Sequence, residues 1–194
     1  MKNITFDLPD AEIFYISNFY ETSKADSIFR ELFNETQWQE DEITVFGKTY
    51  KQPRLTALYA ENEKPYSYSN ITMHPKPFTS LLKEIKLDLE KISGNMFTTV
   101  LLNLYRDGSD SNGWHSDDER ELGKNPAIAS LSLGAERMFH LKHKTNPNFK
   151  TKIALEHGSL LLMQGTTQHF WKHRIPKTAR KVEPRINLTF RLIN

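Results

Sequence analysis

The sequence predicts a mainly β protein of sandwich or jelly-roll type, with flanking α-helices packed outside it. Three observations carry this. Short segments rich in Val, Ile, Leu, Phe and Thr, bounded by Gly, Asn, Asp or Pro, dominate the second half of the chain. Two stretches place apolar residues at helical spacing, and both precede the strand-dense region. Helices and strands do not alternate, which argues against a parallel βαβ sheet.

The elements follow in order. A first helix is expected from Thr22, an N-cap residue type, with Ala25, Ile28, Phe29, Leu32 and Phe33 forming its apolar stripe. Strands are expected over 42–50 and 55–60, with a hairpin at Val45-Phe46-Gly47-Lys48. A second helix is expected from Pro77, with Phe78, Leu82, Ile85, Leu89 and Ile92 on one face and Gly94 as its stop. Both stripes read as packing against a sheet. Further strands are expected over 98–105, 127–133, 137–143, 152–156, 159–164 and 185–192.

At 194 residues the chain is expected to form one domain, 1–194, with a substantial core. Charged residues at 26% and hydrophobic ones at 38% are ordinary for a globular protein. No apolar run approaches the roughly 18 residues of a membrane span, and residues 1–7 lack the apolar core of a secretion signal. No membrane association, a monomer and a cytoplasmic location (nuclear in a eukaryote) are the expectations. The absence of cysteine excludes disulfides, Cys-ligated zinc and iron–sulfur clusters. Net charge is only +2, yet bases gather in 137–152, in 174–185 and at Lys48, Lys51 and Arg54. Such patches can follow a phosphate backbone.

The chemistry lies in Trp114-His115-Ser116-Asp117 and a remote histidine. Two histidines and one carboxylate hold non-haem Fe(II) with open coordination positions. In an extended strand, residues two apart share a face about 7 Å apart, so His115 and Asp117 can aim at one ion. His173, His169 and His157 all compete for the third position. Near the C-terminus Ile186, Leu188, Phe190 and Leu192 alternate with Arg185, Asn187, Thr189 and Arg191. Asn103 and Tyr105 alternate with Leu102 and Leu104 in the same way. Two such polar faces lining one interior would pocket two guanidinium groups, whose forks suit carboxylates. Metal and paired arginines together suggest an iron enzyme with a small dicarboxylate co-substrate.

These residues, taken with Arg106-Asp107-Gly108, Asp118-Glu119, Ser130-Leu131-Ser132-Leu133-Gly134 and His157-Gly158-Ser159-Leu160-Leu161 in this order, resemble the AlkB-type Fe(II)/2-oxoglutarate-dependent dioxygenases. The resemblance runs from about Val45 to the C-terminus and is strongest to the branch that repairs alkylated DNA. It implies a double-stranded β-helix, or jelly roll, over 96–194, with 1–95 as an extension carrying helices and nucleotide-recognition hairpins. It implies His115, Asp117 and His173 as iron ligands, the third chosen by its distance from Arg185. Asn103, Tyr105, Arg185, Asn187, Thr189 and Arg191 would hold 2-oxoglutarate, and no catalytic residue is implied beyond the iron site. With O2, 2-oxoglutarate becomes succinate and CO2; the N-methyl group of the base is hydroxylated and leaves as formaldehyde.

The implied substrate is alkylated DNA, with 1-methyladenine and 3-methylcytosine as its lesions. RNA or single strands are the alternative substrate, and a non-catalytic nucleic-acid-binding module is the alternative outside enzymology. A base inside a duplex must be flipped out to react. The duplex-repair members carry a similar Val-Phe-Gly-Lys stretch that fills the vacated stack, which makes Phe46 the wedge, beside Gly47. Lys48 and Arg54 would meet phosphates. Tyr68 would stack on the flipped base against His115, and Tyr66 would reach a phosphate or the base edge. Asp118 and Glu119 would stabilise a cationic methylated ring or accept from its exocyclic amine.

Overall fold

The computed structural model describes residues 2–45, 48–62, 66–68 and 71–193. The chain opens with an antiparallel pair, β1 (Lys2–Thr5) and β2 (Glu12–Ser17), before helix α1 (Thr22–Glu35). A hairpin of β3 (Glu42–Val45) and β4 (Lys48–Lys51) follows, and then β5 (Leu55–Ala60). A second hairpin pairs β6 (Tyr66–Tyr68) with β7 (Ile71–Met73); β8 (Lys76–Pro77) leads into α2 (Ser80–Ser93). The second half comprises β9 (Thr99–Tyr105), β10 (Asn112–His115), β11 (Ile128–Gly134), β12 (Arg137–His143), β13 (Lys150–Leu155) and β14 (Ser159–Gln164). A single turn of helix, α3 (Thr167–Phe170), runs into β15 (Trp171–Ile175), and β16 (Arg185–Arg191) completes the set.

Two sheets face each other as in a jelly roll. The larger has the order β1-β2-β14-β11-β16-β9-β5-β8, and the smaller β10-β15-β12-β13. Strands from the first 95 residues supply four of the eight positions in the larger sheet, β5 beside β9 and β2 beside β14.

Period two sorts the larger sheet into two layers. On one face Val100, Leu102, Leu104, Leu131, Leu188 and Phe190 pack against Ile28 and Leu32 of α1 and Leu82, Ile85 and Leu89 of α2. On the other, Tyr105, Ile128, Leu161 and Met163 meet Phe139, Leu141, Ile153 and Trp171 of the smaller sheet. Each fully buried Leu or Ile contributes about 1.5–3 kcal/mol of transfer free energy, so the sandwich holds both sheets rigidly around whatever lies between them.

The helices differ in detail from expectation. Glu21, not Thr22, occupies the N-cap of α1. The second helix starts at Ser80, three residues after Pro77; Thr79 caps it by accepting from the Leu82 amide at 3.2 Å, and Gly94 ends it in the left-handed conformation. Pro77 lies in β8, where its missing N–H is tolerated at the sheet edge. Phe33 and Ile92 leave the expected stripes and are exposed: Phe33 stacks on Phe29, and Ile92 lies beside a surface groove with Phe14. Seven strands went unpredicted: β1, β2, β6, β7, β8, β10 and β15. None of the described helices is long and apolar enough to cross a membrane.

Candidate metal centre and co-substrate pocket

Strand pairing assembles the cluster. In the β10–β15 register His115 stands opposite His173, and the two rings lie 4.3 Å apart. Asp117 lies beyond the end of β10, so strand alternation does not aim it. Its backbone N–H donates to Gln168 Oε1 at 2.9 Å, and its Oδ1 accepts from Arg191 Nη2 at 3.0 Å. Ser116 Oγ donates to the Trp171 carbonyl at 2.9 Å, tying the same turn to the start of β15. One atom each from His115, Asp117 and His173 fall within 4.8 Å of one another. His157 and His169 lie elsewhere. The former accepts from the Gly134 amide and faces Asp26, and the latter bonds Asn125. Geometry thus selects His173.

Protonation favours metal binding. The Nδ1 of His115 lies 2.8 Å from the Gly113 carbonyl, which can only accept, so Nδ1 carries the proton and Nε2 keeps its lone pair. Burial lowers the pKa of His173 to about 3 and also lowers that of His115. Burial pushes the Asp117 carboxyl up, but Arg191 and the two histidines outweigh it and hold it down at about 2. At neutral pH the cluster therefore offers two neutral imidazoles and one carboxylate, the charge state a divalent ion needs.

Beside the cluster lies a narrow pocket lined by Asn103, Tyr105, Asn187, Thr189 and Arg191 together with His115, Asp117 and His173. The polar face of β16 is therefore interior, between the sheets, and does not meet water. Arg185, at 0% exposure, donates from Nη2 to Ser132 Oγ at 2.9 Å and sits 5.2 Å from the Tyr105 ring centre. Its Nε and Nη1 find no hydrogen-bond partner among the described residues, and burial lowers its pKa to about 10. A buried guanidinium with open donors is costly until an anion reaches it. Arg191 lines the pocket itself, and Arg185 lies behind Tyr105, which also lines it. A carboxylated co-substrate fits a pocket with these cations at and next to it, as Fe(II) fits the donor set beside it.

The substrate-side residues divide. Arg54, expected on phosphate, faces inward at 3% exposure and donates from Nε to Asn103 Oδ1 at 2.8 Å. Its backbone enters the larger sheet at β5, and the side chain follows it into the interior. Lys48 is exposed in the hairpin. Asp118 is exposed and salt-bridged to Lys144 at 2.8 Å. Glu119 is half-buried; its Oε2 lacks a hydrogen-bond partner among the described residues, and burial together with Asp117 raises its pKa. Phe46 and Gly47 lie outside the described residues, as do the side chains of Tyr66 and Tyr68.

Two features escaped sequence reasoning. Gln168, fully buried, fixes Asp117; a buried amide next to His169 gave no periodic signal. The second is a basic face. Alternation along β12, β13 and β15 turns His140, Lys142, Lys150, Lys152, Lys172 and Arg174 outward. With Trp114, most of them line a groove of about 700 Å³. Lys142 and Arg174 lie 4.4 and 4.6 Å from the Trp114 ring centre. Arg174, from the sequence patch 174–185, joins the bases of 137–152 here, whereas Arg137 and Arg185 turn inward and are buried.

Comparison with known proteins matches residues 12–191 to the 2OG-Fe(II) oxygenase superfamily model. That match begins well before Val45, because β2 and α1 belong to the scaffold although they carry no site residue. The chain is 46% identical over 184 residues to bovine (Bos taurus) alpha-ketoglutarate-dependent dioxygenase alkB homolog 3, covering 90% of this chain and 64% of the relative. It is 39% identical over 181 residues to the human (Homo sapiens) DNA oxidative demethylase ALKBH2, covering 88% and 69%. The chain thus spans just under two thirds of the alkB homolog 3 relatives. Among solved structures, that of OsALKBH1 superposes with a TM-score of 0.69 at 17% identity, covering 98% of this chain and 99% of the other. At that identity the likeness concerns the fold.

Proposed function

The chain belongs to the 2OG-Fe(II) oxygenase superfamily, in its AlkB type, and from that premise we propose that it is an oxidative demethylase of N-alkylated bases in nucleic acid. 1-Methyladenine and 3-methylcytosine in DNA are the proposed lesions. The observation that carries the reading is the His115, Asp117 and His173 cluster opening on a pocket lined by Arg191 and by Tyr105, behind which the buried Arg185 lies. The relatives named for DNA oxidative demethylation support the substrate class.

His115, Asp117 and His173 would hold Fe(II). Arg185 and Arg191 would pair with the two carboxylates of 2-oxoglutarate, while Asn103, Tyr105, Asn187 and Thr189 supply neutral hydrogen bonds. With O2, the bound iron and 2-oxoglutarate supply the oxidation that hydroxylates the N-methyl group and releases succinate, CO2 and formaldehyde. The two apposed sheets bury Asp117 and His173, while His115 is left partly exposed at the mouth of the pocket. Glu119, a half-buried carboxyl close to Asp117, suits an exocyclic amine or a cationic ring better than Asp118, which Lys144 already neutralises.

On the recognition side, residues 1–95 supply the two hairpins and 96–194 most of the catalytic core. Phe46 and Gly47, which follow β3 in sequence, and Lys48 of β4 would enter and flank the duplex, and Tyr66 and Tyr68 would receive the flipped base. The basic face of the smaller sheet provides phosphate-binding charge that extends from Trp114, the neighbour of His115. A monomer that works where nucleic acid is found, in the cytoplasm or a nucleus, is consistent with this chemistry.

The test is a screen of methylated oligonucleotides, single- and double-stranded, by mass spectrometry with Fe(II) and 2-oxoglutarate, and Asp117→Ala as control. Demethylation lost in the control is expected, and absent succinate production with every oligonucleotide would overturn the reading. Phe46→Ala should cripple repair of duplexes while sparing single strands. Equal loss on both would remove the wedge and favour single-stranded DNA or RNA as the substrate.

A further inference from the structure

Arg54 stands where three segments meet. It follows β4, the second strand of the substrate-side hairpin, and precedes β5, which pairs with β9 so that Thr56 opposes Asn103. Its Nε donates to Asn103 Oδ1 at 2.8 Å, and its Nη1 approaches the Ser111 carbonyl at 3.4 Å, one residue before the strand that ends in His115. The chain beside it is pinned as well: the Ser111 amide donates to the Pro53 carbonyl at 2.9 Å. At 3% exposure Arg54 is out of reach of a phosphate backbone.

The consequence concerns the Asn103 amide. A side-chain amide has one accepting end and one donating end, and only its hydrogen bonds decide which way it points. A guanidinium can only donate, so Oδ1 of Asn103 must face Arg54. The NH2 group is then left as the other polar end of a residue that lines the pocket with Tyr105, Asn187 and Arg191. A carboxylate ligand needs donors. With Arg54 replaced by an apolar residue, the amide is free to take either orientation, and part of the ligand's binding energy goes into selecting the donor end.

We propose that Arg54 is a positioning residue of the co-substrate site: it fixes the Asn103 amide with its donors toward the dicarboxylate and ties that amide to the exit of the β3–β4 hairpin. Co-substrate binding and hairpin placement then share one guanidinium. The inference rests on reading the pocket as the 2-oxoglutarate site.

The experiment measures 2-oxoglutarate affinity by calorimetry with Mn(II) in place of Fe(II), for the wild type, Arg54→Met, Arg54→Lys, Asn103→Ala and the Arg54→Met/Asn103→Ala double variant. Arg54→Met should weaken 2-oxoglutarate about tenfold, the scale of one hydrogen bond lost, while Mn(II) binding alone is unchanged. In the Asn103→Ala background the same substitution should add less than about twofold, since coupled residues are not additive. Arg54→Lys should recover part of the loss, and Arg54→Leu takes the place of Arg54→Met throughout should the latter fail to fold. Hydrogen exchange at Lys48–Lys51 should slow on adding 2-oxoglutarate to the wild type and not to the Arg54 variant. Additive losses, an unchanged affinity, equal weakening of Mn(II), or exchange at 48–51 indifferent to 2-oxoglutarate would each overturn the proposal. Failure of the wild type itself to bind 2-oxoglutarate would instead overturn the reading of the pocket.

Discussion

Arg191 Nη2 lies 3.0 Å from Asp117 Oδ1, both side chains are buried, and the bond joins the last residue of β16 to the carboxylate of the candidate metal cluster. A buried carboxylate needs a cation, and without a metal Arg191 is the cation it has. Removing one partner of a buried pair costs about 3–5 kcal/mol. Arg191→Met should therefore destabilise the metal-free protein by that order in urea unfolding. Mn(II) should stabilise the variant more than the wild type, because the ion takes over neutralisation of Asp117. Equal stabilisation of both by Mn(II) would contradict this.

Arg185 predicts the opposite balance. Its Nε and Nη1 lack hydrogen-bond partners among the described residues, so burying this charge costs more than its own contacts return. Arg185→Met should leave metal-free stability unchanged or raised. Its 2-oxoglutarate affinity should fall about tenfold to a hundredfold, matching about 1.5–3 kcal/mol for a hydrogen bond to a charged group. Calorimetry and urea melts on the same preparation separate the two effects.

Acid should unfold the metal-free protein through His173. Burial holds its pKa at about 3 in the fold, against about 6.5 in an unfolded chain. Between these values the unfolded state binds the extra proton, so the stability due to a neutral His173 is complete above about 6.5 and is lost as pH falls toward about 3. The urea midpoint should fall with pH across this window. His173→Gln should flatten the fall, and an identical slope in the variant would count against His173 as its source.

Gln168 should matter to metal affinity without being a ligand. Its Oε1 holds the Asp117 amide at 2.9 Å, and its backbone carbonyl accepts from Lys144, which also bridges Asp118. Changes to groups that orient ligands typically cost about 10–100-fold in metal affinity. Gln168→Leu should weaken Mn(II) by at least about tenfold while the far-ultraviolet circular dichroism is retained. Unchanged binding would show that Asp117 is held well enough by Arg191.

The basic face should act on any nucleic acid alike. Lys142, Lys152 and Lys172 are exposed on one surface. Each Lys→Ala change there should lower the slope of log affinity against log salt by about 1, with no change in sequence preference. Oligonucleotide binding titrated at several salt concentrations reads this directly, and a slope unmoved by all three changes would place the nucleic acid elsewhere.

The alternation of β16 was readable because period two is local: each residue's neighbours in sequence fix its face; the spacing of His115 and Asp117 was readable too, although Gln168 and Arg191, not strand alternation, hold Asp117. The jelly-roll class and both helices were readable for the same reason, apart from the exposed ends at Phe33 and Ile92. The strands β10 and β15 were not, since Asn112, His115, Lys172 and His173 are polar or ionisable and dilute the apolar signal of a strand.

The sequence by itself determined the chemistry available: two arginines on one strand face, a His-x-Asp pair, no cysteine, and an apolar pattern that closes into two sheets. Spacing left three histidines open until the family resemblance favoured His173, and the tertiary structure shows what brings it to the cluster: His115 and His173 meet through the register of β10 on β15. Only the tertiary structure turned Arg54 from the surface to Asn103, and set Arg174 beside the basic residues of 140–152 on one face. The physical reason is that burial and cross-strand distance depend on pairings between residues far apart in the chain. A charge that looks solvent-facing in sequence can be buried whenever such a pairing supplies it with a partner.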